Sequence, residues 1–137
     1  MTEKILVLGG AFQGKGDFVQ QKYKIKKQDM VSSLPMLMDS IEDKRYPIVI
    51  NGFHAIIGEA VRKQEDISFF TAWLQEEHGG FQEGSWIIIS DEIGCGVVPV
   101  SKEERQIREE TGRLLCEISA QADRVYRIIC GIPIQIK

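Results

Sequence analysis

A glycine-rich stretch near the amino terminus has the residue types and spacing of a phosphate-binding loop (P-loop). It follows the apolar run Ile5–Leu8 and reads Gly9-Gly10-Ala11-Phe12-Gln13-Gly14-Lys15-Gly16. This matches the pattern Gly-x-x-x-x-Gly-Lys between a predicted strand and a predicted helix. In such a loop the backbone N–H groups surround phosphate oxygens, and the lysine reaches the β- and γ-phosphates. We therefore predict that residues 9–16 bind the phosphates of a nucleotide and that Lys15 is the catalytic cation.

The last position of the loop lacks a group that phosphate chemistry normally uses. A serine or threonine there supplies a hydroxyl ligand to Mg²⁺, whereas this chain has Gly16. Backbone N–H groups can bind phosphate without that hydroxyl, so the substitution affects the metal more than the phosphates. A glycine-rich strand-to-helix turn that binds no ligand is the alternative interpretation of the same residues.

Two adjacent acids, Asp91 and Glu92, end a second apolar run, Trp86–Ser90. Ligands of α/β proteins bind at the carboxyl ends of the strands, and P-loop sites take a metal contact from an acid in this position. We predict Asp91 as a ligand of Mg²⁺; a solvated strand end without a function is the alternative. Because neighbouring strand residues point to opposite faces, Asp91 and Glu92 should have separate effects.

Apolar runs and amphipathic stretches alternate along the chain, and their order predicts how these residues are positioned. The runs are Ile5–Leu8, Ile48–Ile50, Trp86–Ile89, Val125–Cys130 and Ile132–Ile136. Continuous β-branched runs are typical of strands buried on both faces of a parallel sheet. Strand–helix alternation indicates βαβ units. We therefore predict an α/β fold with a mostly parallel sheet, in which Ile5–Leu8 is central.

Helical spacing fills the segments between these runs. The amphipathic stretches are Leu34–Ile41, Ile56–Leu74 and Ser101–Ile118. Ser33 is placed to cap the first of them, and Asp66 marks a break within the second. Ser101 and Glu104 form a capping-box pattern at the start of the third.

The composition suits one globular domain over residues 1–137. The chain is 43% hydrophobic and 27% charged, with a net charge of −3, a balance that argues against disorder. The negative charge provides no sequence-independent attraction to nucleic acid. The basic patch of Lys22, Lys24, Lys26 and Lys27 is interpreted as a solvated face.

Several sequence features place the expected protein in a reducing compartment. No apolar stretch is long enough to cross a membrane, and the run after residues 1–4 is too short for a signal peptide. The three cysteines have no Cys-x-x-Cys spacing, which argues against structural zinc and a disulfide framework. We expect a cytoplasmic protein without a membrane partner.

A set of short motifs occurs in a specific order. Ser90–Pro99 reads Ser-Asp-Glu-Ile-Gly-Cys-Gly-Val-Val-Pro, after the opening Ile5–Gly10. Further along are Arg108-Glu109, Gly112-Arg113, Ala122–Val125, Gly131–Pro133 and the terminal Ile136-Lys137. In residues 1–15 and from Ser90 onward, the chain resembles the bifunctional adenosylcobinamide kinase/adenosylcobinamide-phosphate guanylyltransferase family, whose corresponding segment reads Asn-Glu-Val-Gly-x-Gly-Ile-Val-Pro.

The resemblance implies a three-layer P-loop NTPase-like fold with helices on both faces of the sheet. It also implies ATP or GTP as the nucleotide, Mg²⁺ as its metal, and a corrinoid whose aminopropanol side chain is phosphorylated. The family then transfers GMP to that phosphate through a guanylylated histidine, and its members form trimers. Carried over to this chain, the resemblance implies Lys15 and Glu92 as catalytic residues and a homo-oligomer.

This chain departs from the family at positions that handle the metal. The family's loop reads Gly-Gly-x-Arg-Ser-Gly-Lys-Ser, and Phe12, Gln13 and Gly16 replace its arginine and both serines. At the end of the next strand Asn51 replaces an acid, and a neutral amide is a poorer Mg²⁺ ligand than a carboxylate. Asp91 stands where the family has asparagine, so its carboxylate could offset that loss.

Compared with the family it resembles, this chain lacks the segment that carries the histidine of the guanylyl-transfer step. Between the P-loop and the second strand the family has an extra strand and the helix with the guanylylated histidine. This chain has only Asp17–Pro47, without a histidine, and His54 and His78 lie elsewhere. We therefore expect a cobinamide kinase-like nucleotide-binding protein of cobalamin biosynthesis that lacks the guanylyl-transfer step. The alternative, favoured by Gly16 and Asn51, is a non-catalytic relative that binds a nucleotide or corrinoid or assembles with partners.

Overall fold

The structure, a computed structural model, describes residues 3–76, 84–92 and 101–137. The strands in these residues are β1 (Lys4–Gly9), β2 (Ile48–Asn51), β3 (Trp86–Asp91), β4 (Arg124–Ile129) and β5 (Ile132–Gln135). They form one sheet in the order β2-β3-β1-β4-β5. β1 pairs in parallel with β3 and β4, β2 pairs in parallel with β3, and β5 runs antiparallel to β4. The predicted mostly parallel sheet, with Ile5–Leu8 at its centre, is confirmed.

Helices pack on both faces of this sheet. They are α1 (Lys15–Tyr23), α2 (Leu34–Glu42), α3 (Phe53–Arg62), α4 (Ser68–Gln75) and α5 (Lys102–Gln121), with a short 3₁₀-helix at Lys27–Asp29. Ile5 and Val7 of β1 lie in the core that includes Val19 of α1. Leu6 lies in the opposite core, with Leu114 of α5. The predicted three-layer arrangement is therefore confirmed. In the described part of the chain, no helix has the length and apolar character needed to cross a membrane.

Local signals in the sequence set several helix ends. The hydroxyl of Ser33 accepts a hydrogen bond from the backbone N–H of Met36, the third residue of α2 (3.4 Å). The hydroxyl of Ser101 accepts one from the N–H of Glu104 (3.3 Å). Both predicted N-caps are therefore confirmed. The predicted break near Asp66 separates α3 from α4, and the Asp66 carboxylate accepts a hydrogen bond from the first residue of α4.

β4 and β5 form a hairpin whose turn lies at the same edge of the sheet as the end of β1. Cys130 and Gly131 have φ angles of 49° and 76°, as in the mirror-image turns that favour hairpins. A turn this short can join only antiparallel strands, because a parallel crossover needs a dozen or more residues. β5 is thus the antiparallel exception in a parallel sheet, and its turn is placed next to the P-loop.

Candidate functional site

The chain leaves the sheet at Gly9 and enters α1 at Lys15, so residues 10–14 form a loop at the carboxyl edge of the central strand. Gly14 precedes the helix with a φ of 88°, a left-handed conformation that glycine adopts without strain. A Cβ on Gly9 would lie 2.7 Å from the carbonyl oxygen of Ile128. The glycines therefore allow the loop to turn sharply while β4 packs directly against the end of β1.

The hairpin turn holds the loop through Gln13. The side-chain oxygen of Gln13 accepts a hydrogen bond from the N–H of Cys130 (2.6 Å). The backbone carbonyl oxygen of Gln13 accepts a second hydrogen bond, from the N–H of Gly131 (2.9 Å). These two hydrogen bonds anchor the loop to the hairpin of the same chain. The loop of the family that this chain resembles has serine at the position of Gln13.

Lys15 turns its ammonium group back into the loop. Its Nζ donates to the carbonyl oxygen of Gly10 at 2.6 Å and lies 2.7 Å from Oδ1 of Asp91. Lys15 is buried, with 8% of its surface exposed, and a buried charge requires such partners. The structure thus brings together the two residues that the sequence proposes for phosphate and metal binding.

His54 joins this pair from the second residue of α3. Its Nδ1 accepts a hydrogen bond from the backbone N–H of Asp91 (3.1 Å), and its Nε2 lies 3.3 Å from Oδ2 of the same residue. This pattern requires a neutral ring with its proton on Nε2. Burial is the main cause that lowers the pKa of His54 below its ordinary value of 6.5; Lys15 adds to this effect, and Asp91 opposes it.

An open cleft of about 600 Å³ lies in front of these residues. Its walls come from the loop, the first turn of α1 and the ends of β2 and β3, and include Gly16, Asn51 and the exposed Lys27. The first N–H groups of an α-helix have no partner within the helix, and those of α1 begin at this cleft. Together with the positive end of the helix dipole, they suit an anion such as phosphate.

The side chains at the positions expected to hold Mg²⁺ do not suit that metal. Both carboxylate oxygens of Asp91 are engaged, one by Lys15 and the other by His54. Gly16 offers no side-chain oxygen, and Asn51 offers an amide. Across the described residues, no group of three or more His, Cys, Asp or Glu side chains is placed to hold a metal ion. A metal-ligand role for Asp91 stays a prediction.

Glu92 lies apart from the cleft that contains Asp91. Its carboxylate forms a two-pronged ion pair with Arg127, with Oε1 2.6 Å from Nε and Oε2 3.0 Å from Nη2. Its backbone N–H donates to the carbonyl oxygen of Gly9 (2.9 Å). Glu92 therefore ties the end of β3 to β1 and β4, and its predicted catalytic role stays a prediction. The remainder of the motif, residues 93–99, lies outside the described residues.

Sequence reasoning missed His54 as a member of this site. The signal that could have found it is its place three residues after Asn51, just beyond the end of a predicted strand. Residues that follow neighbouring parallel strands meet at one edge of a sheet. His78, the other histidine, lies outside the described residues.

Comparison with known proteins identifies the family. The profile of the family described as cobinamide kinase / cobinamide phosphate guanyltransferase matches residues 29–136. The chain belongs to this family. The match confirms the family recognised from the short motifs. It begins beyond the P-loop, so the assignment of that loop rests on its own residues and geometry.

Two curated relatives support the cobinamide kinase / cobinamide phosphate guanyltransferase assignment. Each is the bifunctional adenosylcobalamin biosynthesis protein CobU, one from Escherichia coli (strain K12) and one from Salmonella typhimurium (strain LT2). The identity to each is 33% over 51 residues, which is 37% of this chain. The aligned segment spans 28% of each relative's length.

Proposed function

We propose that this family member binds the triphosphate of ATP or GTP at residues 9–16. The observation that carries the proposal is the placement of Lys15 between the carbonyl oxygen of Gly10 and Asp91, at the start of α1 and beside an open cleft. The N–H groups of the loop and helix would contact the phosphate oxygens, and Lys15 would contact the terminal phosphates. By family membership, the phosphoryl acceptor is the hydroxyl of a cobinamide-type corrinoid.

A second candidate is nucleotide or corrinoid binding without phosphoryl transfer. Phosphoryl transfer depends on positioning and on stabilising the charge that develops on the phosphate. The engagement of both Asp91 oxygens leaves the cleft without a free carboxylate at the position where a P-loop enzyme holds its metal. This observation favours a protein that retains the nucleotide and has lost or weakened its turnover.

We also propose that the guanylyl-transfer step is absent. Residues 17–47 contain no histidine, and both ring nitrogens of His54 are engaged by Asp91. Incubation with labelled GTP should leave no acid-labile GMP linked to histidine. Stable label on His54 or His78 would contradict this proposal. A homotrimer, as the family resemblance implies, in the reducing cytoplasm that the cysteine pattern predicts, completes the proposed description.

Calorimetry with ATP and GTP, each with and without Mg²⁺, tests the nucleotide site. Lys15→Ala should weaken triphosphate binding by about 1.5–3 kcal/mol, or about ten- to 150-fold in Kd. Lys26→Ala is the matched control, because Lys26 is an exposed lysine outside the walls of the cleft. If wild-type protein releases no heat with either nucleotide, the proposal is wrong. Transfer of labelled γ-phosphate to cobinamide then separates the kinase from the binding protein.

A further inference from the structure

Phe12, at the tip of the P-loop, is held in an unusual conformation. Its φ is 59°, in the left-handed region that bulky side chains rarely adopt because of steric strain. Its side chain is fully exposed, at 103% of the reference surface. The conformation therefore presents the whole aromatic ring to solvent, and burial in this chain does not compensate for the strain. Strained residues of this kind cluster at ligand sites.

The loop on either side of Phe12 is anchored. On one side, the carbonyl oxygen of Gly10 accepts a hydrogen bond from Lys15. On the other side, Gln13 is bound to both residues of the hairpin turn. The exposed ring is thus attached to a braced backbone, and Phe12 and Lys15 both line the same cleft. A ligand whose phosphates reach Lys15 can also contact Phe12.

We propose that Phe12 is a stacking platform for the base of the bound nucleotide. This proposal rests on the proposed nucleotide site and adds a second contact to it. An aromatic ring stacks on any base because every base has a π-face, and phenylalanine has no polar group with which to distinguish adenine from guanine. The expected ligand is therefore a nucleoside triphosphate whose base the ring does not select, with ATP and GTP bound about equally.

The chemistry of the ring excludes a role in phosphate contact. A phenyl group has no hydrogen-bond donor and no positive charge, unlike the arginine of the related loop. A substitution of Phe12 keeps the backbone N–H of the loop, so it should affect the phosphate-dependent part of binding far less than the base-dependent part. This separation allows the stacking contact to be measured independently of the phosphate contacts.

The test compares ATP, GTP and inorganic tripolyphosphate by calorimetry on wild type, Phe12→Ala, Phe12→Leu and Phe12→Trp. Alanine keeps a side chain at the same strained backbone position, so it removes only the ring. We expect Phe12→Ala to weaken the binding of ATP and GTP by about five- to 150-fold and to weaken the binding of tripolyphosphate far less. Phe12→Trp should retain nucleotide affinity, whereas Phe12→Leu should lose it, because leucine is apolar but cannot stack.

Three outcomes would overturn the inference. Equal loss for nucleotides and tripolyphosphate would show that Phe12 acts on loop geometry, and full affinity in Phe12→Leu would show that the ring is not required. Unchanged nucleotide affinity in Phe12→Ala would show that the ring does not contact the nucleotide and binds a different partner, such as a corrinoid or a protein surface. In each of these cases, tripolyphosphate binding by the wild-type protein would still support the nucleotide site. If the wild-type protein binds neither tripolyphosphate nor ATP nor GTP, the proposed nucleotide site is wrong as well.

Discussion

The Nζ of Lys15 lies 2.7 Å from Oδ1 of Asp91, in a cleft where a phosphate would need the same ammonium group. Asp91 therefore neutralises the cation that the P-loop presents. It also binds His54 through its other oxygen, so its negative charge is shared between two neighbours. This relationship decides what substitutions in the cleft should do.

Asp91→Asn should strengthen the binding of metal-free ATP by about tenfold. The substitution removes a negative charge next to the phosphate site and frees Lys15 to contact phosphate. If Asp91 were instead the metal ligand, the same variant would lose a Mg²⁺-dependent gain in affinity. Calorimetry with ATP, with and without Mg²⁺, distinguishes these results. Asp39→Asn is a control for a general change in charge, because Asp39 is an exposed residue of α2 outside the walls of the cleft.

Restoring the family's two metal-handling residues should create Mg²⁺ dependence. A Cβ on Gly16 would have the Nε2 of Gln20, at 4.0 Å, as its nearest neighbour, so Gly16→Ser introduces a hydroxyl without a clash. Asn51→Asp adds a carboxylate to the facing wall of the cleft. We expect the double variant to bind ATP about tenfold more tightly with Mg²⁺ than without it. If the double variant hydrolyses ATP only with Mg²⁺, the residues at positions 16 and 51 account for the lost metal dependence. If it gains no such activity, the family segment that this chain lacks between the P-loop and β2 accounts for the loss.

His54 should make the protein less stable as the pH falls below 6.5. Its pKa in the folded protein is lowered, so the unfolded chain takes up a proton first and is stabilised by it. The contribution is fully present above pH 6.5 and is lost as the pH falls through the folded pKa. Urea unfolding from about pH 7.5 to about pH 5 measures it. His54→Gln should have a flatter profile in that window; an identical profile would contradict the assignment.

Gly9→Ala should destabilise the fold by about 1–3 kcal/mol, because the added methyl group would lie 2.7 Å from the backbone of Ile128. Gly112→Ala is the matched control, since among the described residues no heavy atom beyond its chain neighbours and its own helix backbone lies within 4 Å of the added methyl group. In the interior of α5 that control should stabilise the protein by about 0.5–1 kcal/mol. Urea midpoints compare the two variants; equal effects would mean that β4 does not pack tightly against the end of β1.

Much of the architecture follows from short-range features of the sequence. The apolar run Ile5–Leu8 must be buried on both sides, which places it at the centre of a sheet. Ser33 and Ser101 set helix starts through their own side chains. The glycines around Lys15 allow the turn from strand to helix. Each of these features depends on residues close together in the sequence, so the local sequence is sufficient to predict it.

The arrangement of the site required the tertiary structure. Asp91 and Glu92 are adjacent in sequence, yet one contacts Lys15 and the other Arg127, because successive strand residues point to opposite faces. The sequence predicted that separation, but the strand order selected the partners. His54 reaches Asp91 only because β2 pairs with β3. These contacts join residues far apart in the chain, and their spacing in the sequence carries no record of which strands become neighbours.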